Sequence, residues 1–247
     1  MSLQLKDQYH VGDQIADDPV IQVIDGFVTD TERHHIIGLA QGKLDTALVS
    51  AVGAAKTSDG RTGSVAWIKH DQTPIVRGLV KRVSQLIGIP VRHAESLQVV
   101  HYAETQQYRP HFDAYDMNTE KGRQRTERGG QRLVTALCYL NDVEDGGGTI
   151  FPKLDLEVEA EPGRMVIFHN VGDHSLEDMT RHPHSLHGGS PVWGGEKYAC
   201  NLWFRAQPYQ HGPVHKRPGV DGQRVDNNTA RAAAQRRKQQ KAKRKKR

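Results

Sequence analysis

The sequence predicts a mainly β fold, a sandwich or closed barrel of short strands with helices packed against one side. Between residues 95 and 205, short segments rich in Val, Ile, Leu, Tyr and Phe recur, separated by Gly, Pro, Asn and Asp. Two segments with helical periodicity precede them. With 247 residues, the chain can hold one domain of about 200 residues together with terminal segments.

The N-terminal part predicts a strand followed by a helix. Residues 1–18 are polar, and we expect an irregular lead-in there. The β-branched segment at 20–27, VIQVIDGF, is typical of a strand. Thr29 and Glu32 have the spacing of a capping box, so a helix should begin at this point and end near Gly42.

A second helix is the clearest element of the sequence. Thr73 can cap its N-terminus, Pro74 suits its first turn, and Gly88 can end it. Between these ends, apolar residues at helical spacing form one face, made by Ile75, Val76, Leu79, Val80, Val83, Leu86 and Ile87. Segments 44–50 and 61–68, which precede this helix, are candidate strands on either side of a loop of small residues.

From residue 95 onwards the sequence reads almost entirely as strand. The predicted strands lie in ESLQVVHYA, YRPHFD, QRLVTALCYLN, GGTIFP, GRMVIFHN, SLHGG and EKYACNLWFR. An Arg-rich polar loop at 114–130 interrupts them and is a candidate lid or disordered segment. The glycines at 146–148 are not followed by the Lys and Ser/Thr of a phosphate-binding loop, so we interpret them as a turn.

The composition favours a cytoplasmic protein without a membrane segment. No run approaches the roughly 18 consecutive apolar residues that a membrane-spanning helix requires. The N-terminus also lacks the basic and apolar regions of a signal peptide. Cys138 and Cys200 lie in apolar, strand-like surroundings, and we interpret them as small buried hydrophobic residues of a protein in a reducing compartment.

The basic charge of the chain is concentrated at its C-terminus. Residues 231–247 contain ten of the 34 Lys and Arg residues and no acidic residue, which leaves 24 basic against 29 acidic residues elsewhere. We expect residues 19–209 to form the folded domain and residues 210–247 to form a disordered basic tail. Such a tail could attract RNA or a ribosome nonspecifically through phosphate contacts.

A His-x-Asp pair marks the candidate site. His111 and Asp113 close the segment YAETQQYRPHFD, which has strand character. Residues two apart on a strand project from the same face, about 6 to 7 Å apart along the backbone. An imidazole beside a carboxylate is part of the 2-His-1-carboxylate set that holds non-haem Fe(II) with open coordination positions. A polar strand edge is the alternative, because the chain has 14 His and 29 acidic residues.

A third ligand must come from elsewhere in the chain. The candidates are His169, His174, His182, His184 and His187. Spacing favours His187, with His184 as the alternative, because Lys197 follows ten residues later across a Gly/Pro-rich turn. If this turn forms a hairpin, His187 and Lys197 lie on neighbouring antiparallel strands and enter one cavity. A metal beside a buried ammonium would suit a dianionic chelator.

The order of these motifs resembles that of the Fe(II)- and 2-oxoglutarate-dependent dioxygenases of the prolyl 4-hydroxylase family. The resemblance runs from about Val20 to Arg205 and rests on LQVVHYAETQQYRPHFD, RLVTALCYLND, GGGTIFP, SLHGG, GEK and KYACNLWFR. It implies a double-stranded β-helix, or jelly roll, supported by N-terminal helices. This sequence departs from the family pattern in having RTG rather than RTS at 61–63, and HFDA rather than HxDY at 111–114.

The resemblance also implies roles for individual residues. His111, Asp113 and His187 would bind iron, and Lys197 would hold the distal carboxylate of 2-oxoglutarate. Further residues would contact the co-substrate, namely Tyr102 and Thr135, or the substrate, namely Arg61 and Trp203. The implied reaction consumes O2, releases succinate and CO2, and hydroxylates C4 of a prolyl residue in a protein or peptide, with ascorbate as a reductant.

Two other classes of function stay open. One is the same chemistry on a nucleobase or on another amino-acid side chain, and the basic tail favours the nucleobase. Lys197 argues against a nucleobase substrate, because nucleic-acid dealkylases of this superfamily typically hold the distal carboxylate of 2-oxoglutarate with Arg. The other is a non-catalytic metal-binding jelly roll, which would need the His-x-Asp pair but would have no use for Lys197 at its spacing.

Overall fold

Two of the three α-helices lie where the local sequence signals predict them. The computed structural model describes residues 3–46, 48–49, 56–57, 62–172, 174 and 176–210. Its α-helices are α1 (Asp30–Gln41), α2 (Pro74–Ile87) and α3 (Glu120–Thr126), and single 3-10 turns occupy Val91–His93 and Pro183–Ser185.

The ends of α1 and α2 confirm the predicted caps. The Thr29 hydroxyl accepts a hydrogen bond from the Glu32 N–H while the Glu32 carboxylate accepts one from the Thr29 N–H, which is a complete capping box. The Thr73 hydroxyl caps α2 by accepting from the Val76 N–H. Gly88 ends α2 in the left-handed region, at φ 79°, which glycine adopts without steric cost.

Sixteen strands, many of them short, make up the rest of the described chain. In chain order they are β1 (Asp13–Asp17), β2 (Val20–Ile24), β3 (Asp45–Thr46), β4 (Leu48–Val49), β5 (Lys56–Thr57), β6 (Ser64–Ile68), β7 (Leu97–Tyr102), β8 (Tyr108–His111), β9 (Arg132–Tyr139), β10 (Asp145–Gly146), β11 (Thr149–Phe151), β12 (Leu156–Val158), β13 (Met165–His169), β14 (His187–Gly189), β15 (Val192–Gly194) and β16 (Lys197–Arg205).

Two main sheets face each other. The larger has eight strands in the order β1-β2-β13-β9-β16-β7-β6-β3, and the smaller has four in the order β12-β11-β14-β8. Two-stranded pairs, β10-β15 and β4-β5, complete the described sheets. All the pairings among these strands are antiparallel. The prediction of a mainly β jelly-roll core supported by helices is confirmed.

The larger sheet separates two apolar layers. Its outer face packs against the helices, where Ile36 of α1 and Val80 of α2 are fully buried with Val99 of β7. Its inner face meets the smaller sheet, where Phe168 of β13 contacts Phe151 of β11 edge-to-face at 5.3 Å between ring centroids. The space between the two sheets is therefore closed on the β11 side by apolar contacts.

Three local expectations need correction. The lead-in at 1–18 is not irregular throughout, because β1 pairs with β2 at the edge of the larger sheet and both Leu5 and Tyr9 are buried. The segment 44–50 contains two short strands, β3 and β4, instead of one. The segment 114–130 contains α3, which begins where the Thr119 hydroxyl accepts from the Gly122 N–H.

The two cysteines lie in the apolar layer under the helices. Cys138 of β9 and Cys200 of β16 are paired across the sheet, and both are buried free thiols, as the sequence predicts. None of the helices in the described part of the chain has the length and apolar character needed to cross a membrane.

Candidate active site

A His-Asp-His cluster lies at the end of the smaller sheet. His111 ends β8, Asp113 follows two residues later, and His187 begins β14. Strands β8 and β14 are neighbours, with His111 and His187 directly opposite each other and their ring centroids 4.5 Å apart. One potential ligand atom from each of the three side chains lies within 4.8 Å of the other two. The pairing of β8 with β14 therefore brings a distant histidine to the His-x-Asp pair.

Backbone carbonyl groups orient both imidazole rings. His111 Nδ1 lies 3.0 Å from the Arg109 carbonyl oxygen, and His187 Nδ1 lies 2.8 Å from that of Ser185. A carbonyl oxygen can only accept, so each Nδ1 carries the hydrogen and donates it. The Nε2 atom of each ring then points to Asp113. His111 Nε2 lies 3.8 Å from Asp113 Oδ1, and His187 Nε2 lies 3.4 Å from Asp113 Oδ2. This is the orientation in which histidine presents Nε2 to a metal.

The Asp113 carboxylate is buried and ionised. Its exposed fraction is 5%, and the Thr135 hydroxyl donates a hydrogen bond of 2.7 Å to its Oδ2. Burial alone would raise the pKa of this carboxyl group. The imidazoles of His187 and His111, together with the Arg132 guanidinium, outweigh burial and hold the pKa well below its usual range.

This donor set fits ferrous iron. Two imidazoles and one carboxylate, drawn from separate segments, leave coordination positions for other ligands, as in non-haem Fe(II) oxygenases. Within the described ranges, this is the one group of three or more His, Cys, Asp and Glu residues close enough to share a metal ion.

The alternative histidine ligands lie elsewhere. His169, His174 and His182 are hydrogen-bonded to residues of the N-terminal segment, which are Tyr9, Asp7 and Asp18, respectively. His184 contacts the ring of His182. Of the five candidates considered from the sequence, His187 is the one that the fold brings to His111 and Asp113.

Lys197 approaches strand β14 by a different route from the one predicted. It begins β16 in the larger sheet, opposite Tyr102 of β7, whereas His187 belongs to the smaller sheet. The hairpin prediction is therefore wrong, because the intervening chain crosses from one sheet to the other through β15. The Lys197 ammonium still faces β14, since a Cβ atom on Gly189 would lie 3.9 Å from Nζ.

The Lys197 ammonium is buried without a carboxylate partner among the described residues. Its exposed fraction is 3%, and two aromatic rings flank it, with Nζ 5.1 Å from the centroid of Tyr139 and 5.9 Å from that of Tyr102. Burial lowers the pKa of Lys197 to about 7, although Glu157 acts in the opposite direction. Burial without a carboxylate partner in the described part of the chain makes the Lys197 ammonium a suitable binding group for an anionic ligand, because a carboxylate would offset the cost of desolvating the charge.

Tyr102 and Thr135 both face the space between the sheets, but they differ in what they contact. Tyr102 lies beside the Lys197 ammonium. Thr135 lies at the metal side, where its hydroxyl is hydrogen-bonded to Asp113. The sequence reasoning missed Tyr139, which shares the inner face of β9 with Thr135 and whose hydroxyl lies 2.6 Å from that of Thr149. The alternation along β9 could have identified it.

The chain has close relatives in sequence. Residues 97–205 match the 2OG-Fe(II) oxygenase superfamily. The chain is 34% identical over 213 residues to probable prolyl 4-hydroxylase 10 of Arabidopsis thaliana, covering 79% of this chain and 72% of the plant protein. It is 32% identical over 209 residues to the putative prolyl 4-hydroxylase of Acanthamoeba polyphaga mimivirus, covering 84% of this chain and 83% of the viral protein. The chain belongs to the prolyl 4-hydroxylase family of 2OG-Fe(II) oxygenases.

The fold agrees with this family membership. The viral collagen prolyl hydroxylase of Paramecium Bursaria Chlorella virus-1, solved in complex with 2OG, superposes with a TM-score of 0.59 and 25% sequence identity. The match covers 75% of this chain and 95% of the viral chain. As a member of the prolyl 4-hydroxylase family, the protein is a dioxygenase that uses Fe(II), 2-oxoglutarate and O2.

A cluster of one guanidinium and two indole rings adjoins the metal side of this prolyl 4-hydroxylase-like site. Trp203 is buried, with the Arg132 guanidinium 3.6 Å above its ring and Trp67 at 6.1 Å. Arg132 also lies 3.8 Å from Asp113 Oδ1 and is held by a two-point ion pair with Glu95. Sequence reasoning missed Arg132 and Glu95, because their pairing joins segments 37 residues apart.

The departure from the family motif at 61–63 has a physical reason in this structure. Arg61, the other predicted substrate residue, lies outside the described residues. At Gly63, a Cβ atom would lie 2.5 Å from the Tyr102 ring, which is closer than side chains tolerate. The same Cβ atom would lie 2.4 Å from the His101 carbonyl oxygen, so Gly63 allows both this carbonyl and the Tyr102 ring to approach closely, whereas a serine would require both to shift.

Proposed function

We propose that the protein hydroxylates C4 of a prolyl residue in a protein or peptide, with succinate and CO2 as co-products. One observation carries the proposal: the His-Asp-His cluster and a buried ammonium without a carboxylate partner among the described residues open into the same space between the sheets. A 2-oxo diacid matches both features, because one end can chelate a metal while the other pairs with the ammonium.

Different residues of the site would bind the metal and the co-substrate. His111, Asp113 and His187 would hold Fe(II), with their rings and carboxylate already oriented by neighbouring groups. Lys197 would receive the distal carboxylate of 2-oxoglutarate, beside the Tyr139 ring, whose centroid lies 5.1 Å from Nζ. When bound, Fe(II) would supply O2 activation coupled to decarboxylation of the co-substrate.

Protein-bound proline is the substrate that we infer. The plant and viral relatives carry the name prolyl 4-hydroxylase, and one structural neighbour is a collagen prolyl hydroxylase. The aromatic cluster beside the site adds support, because proline-rich segments bind exposed aromatic side chains well. It contains Trp203 and also Trp67, whose exposed fraction is 48%. A peptide bound to Trp67 would lie close to the metal ligands, because Trp67 contacts Trp203, and Arg132 lies between Trp203 and Asp113.

This substrate assignment is tested by peptide turnover. The full chain would be incubated with Fe(II), 2-oxoglutarate, ascorbate and O2, and with paired peptides that differ only by Pro→Ala. We expect succinate release and the mass gain of one oxygen atom for the proline peptides alone, with fragmentation locating the oxygen on proline. Oxygen added to another side chain would contradict the assignment, as would oxidation of single-stranded RNA or DNA in a parallel reaction.

We also propose that the basic segment 231–247 attracts RNA or a ribosome. It lies outside the described residues, and its ten Lys and Arg without an acidic residue support the proposal. We expect the full chain to bind RNA with an affinity that falls steeply with salt, and a 1–210 truncation to lose most of this binding. Equal retention of RNA by both forms across a salt series would contradict it.

A further inference from the structure

A chain of three buried side chains leads away from the metal side of the site. Asn170, which follows β13, donates from Nδ2 to Thr135 Oγ1 at 2.9 Å, and Thr135 donates to Asp113 Oδ2 at 2.7 Å. Asn170 and Thr135 are completely buried, and Asp113 is 5% exposed. Asn170 therefore contacts the metal-binding carboxylate only through a second residue.

The chemistry of the three groups fixes the direction of these hydrogen bonds. An ionised carboxylate can only accept, so the single hydroxyl hydrogen of Thr135 must go to Asp113. The Thr135 oxygen must then accept from its other neighbour, which requires Asn170 to present its NH2 group and not its carbonyl oxygen. Asn170 thereby directs the Thr135 hydrogen towards Asp113.

Asn170 occupies this position at an energetic cost. Its Oδ1 is buried and has no hydrogen-bond partner among the described residues. A buried, unsatisfied acceptor of this kind costs about 1 to 3 kcal/mol, and an apolar side chain would avoid that cost. The bond from Nδ2 to Thr135 is the contact that distinguishes asparagine here from an apolar side chain of similar size.

The main chain of Asn170 is also tied to the other side of the cluster. Its N–H donates to the Leu133 carbonyl at 2.8 Å, and its own carbonyl accepts from the His182 N–H at 2.9 Å. The turn that begins at His182 contains Ser185, whose carbonyl orients the His187 ring. These main-chain bonds do not depend on the side chain, so substitutions of Asn170 should leave them in place.

We propose that Asn170 is a positioning residue that, through Thr135, fixes the orientation of the Asp113 carboxylate for metal binding. The inference rests on the proposed role of Asp113 as a ligand. Residues that support a metal ligand by hydrogen bonding typically contribute 10-fold to 100-fold to metal affinity. An effect of this size is expected when the polarity of the hydrogen bond from Asn170 is reversed.

The test is an equilibrium titration of the metal-free full chain with Co(II), monitored by its visible absorption. Asn170→Asp keeps the shape of the side chain but can only accept, so it competes with Asp113 for the Thr135 hydrogen. Thr135→Val removes the hydroxyl, and Thr135→Ser restores it. We expect Asn170→Asp and Thr135→Val each to weaken Co(II) binding about 10-fold to 100-fold and to alter the Co(II) spectrum. Thr135→Ser should bind Co(II) as the parent chain does.

A double-mutant cycle completes the test. If Asn170 acts through Thr135, Thr135→Val combined with Asn170→Ala should bind Co(II) no more weakly than the weaker single variant. Because this cycle uses Asn170→Ala, it tests the role of Asn170 even if the buried carboxylate of Asn170→Asp prevents folding. The inference about Asn170 would be wrong if the losses of Co(II) affinity were additive, or if folded Asn170→Asp and Asn170→Ala variants bound Co(II) normally. Neither result would affect the proposed metal site. Failure of the parent chain to bind Co(II) would overturn the proposed metal site as well.

Discussion

Replacing Asp113 with alanine should abolish iron binding and, with it, 2-oxoglutarate turnover. Asp113 is the one carboxylate in the cluster, and two imidazoles alone hold a divalent ion poorly because no negative charge balances the metal. The loss of metal affinity should exceed the roughly 100-fold that marks the upper range for a supporting residue. Isothermal titration with Fe(II) under anaerobic conditions measures the affinity, and succinate release measures turnover.

Asp71 offers a matched control for this substitution. It is exposed in the turn before α2, so Asp71→Ala removes the same charge away from the cluster. We expect the control to bind Fe(II) and release succinate as the parent chain does. If a folded Asp113→Ala variant kept the parental Fe(II) affinity, the ligand assignment would be wrong.

Replacing Lys197 with methionine should prevent 2-oxoglutarate binding while leaving metal binding intact. Truncating one partner of a buried charge pair costs about 2 to 5 kcal/mol, which corresponds to roughly 30-fold to several-thousand-fold in affinity. Lys197→Arg keeps a cation and should retain part of the affinity, whereas Lys81→Met, on the exposed face of α2, should have no effect. If Lys197→Met and the parent chain bound 2-oxoglutarate with comparable affinity, the Lys197 ammonium would not be the group that binds the co-substrate.

The lowered pKa of Lys197 gives this prediction a pH dependence. With a pKa of about 7 in the ligand-free protein, Lys197 is neutral at higher pH and must take up a proton to pair with a carboxylate. The affinity for 2-oxoglutarate should therefore fall above pH 7, by up to about tenfold per pH unit. Calorimetry in buffers of different ionisation enthalpy would detect the proton uptake, which should be absent in Lys197→Arg.

The same lowered pKa predicts a change in stability. The folded protein disfavours charged Lys197, at about 1.4 kcal/mol for each pKa unit. This cost is greatest below pH 7 and disappears as the pH rises towards the ordinary pKa of 10.5. Lys197→Met should thus raise the melting temperature of the ligand-free protein at neutral pH, so a loss of binding could not be attributed to unfolding.

Local signals in the sequence were enough to predict α1, α2 and the His-x-Asp pair of the metal site. Helix ends depend on residues three or four apart, and the caps at Thr29 and Thr73 form as expected. The His-x-Asp pair is likewise local. His187 was selected from five histidines on the family resemblance and on the spacing of Lys197, although the hairpin inferred from that spacing does not form.

Features that depend on long-range pairing could not be predicted in the same way. The Gly/Pro-rich segment between His187 and Lys197 is compatible with a hairpin or with a crossing between sheets, and strand pairing decides between them. The role of Thr135 at the co-substrate stays a prediction, and its hydrogen bond to Asp113, 22 residues away, had no local signal in the sequence. Asn170, at the end of an apolar strand, has the sequence signature of an ordinary turn residue. The cytoplasmic location stays a prediction.

The most direct test of the account is an anaerobic titration of the metal-free full chain, first with Fe(II) and then with 2-oxoglutarate. We expect one Fe(II) per chain and a visible absorption band that develops only when both Fe(II) and 2-oxoglutarate are present. The band should be absent in Asp113→Ala and should require far more 2-oxoglutarate in Lys197→Met. A chain that binds no Fe(II), or that gives the same band at the same 2-oxoglutarate concentration in both variants, would contradict it.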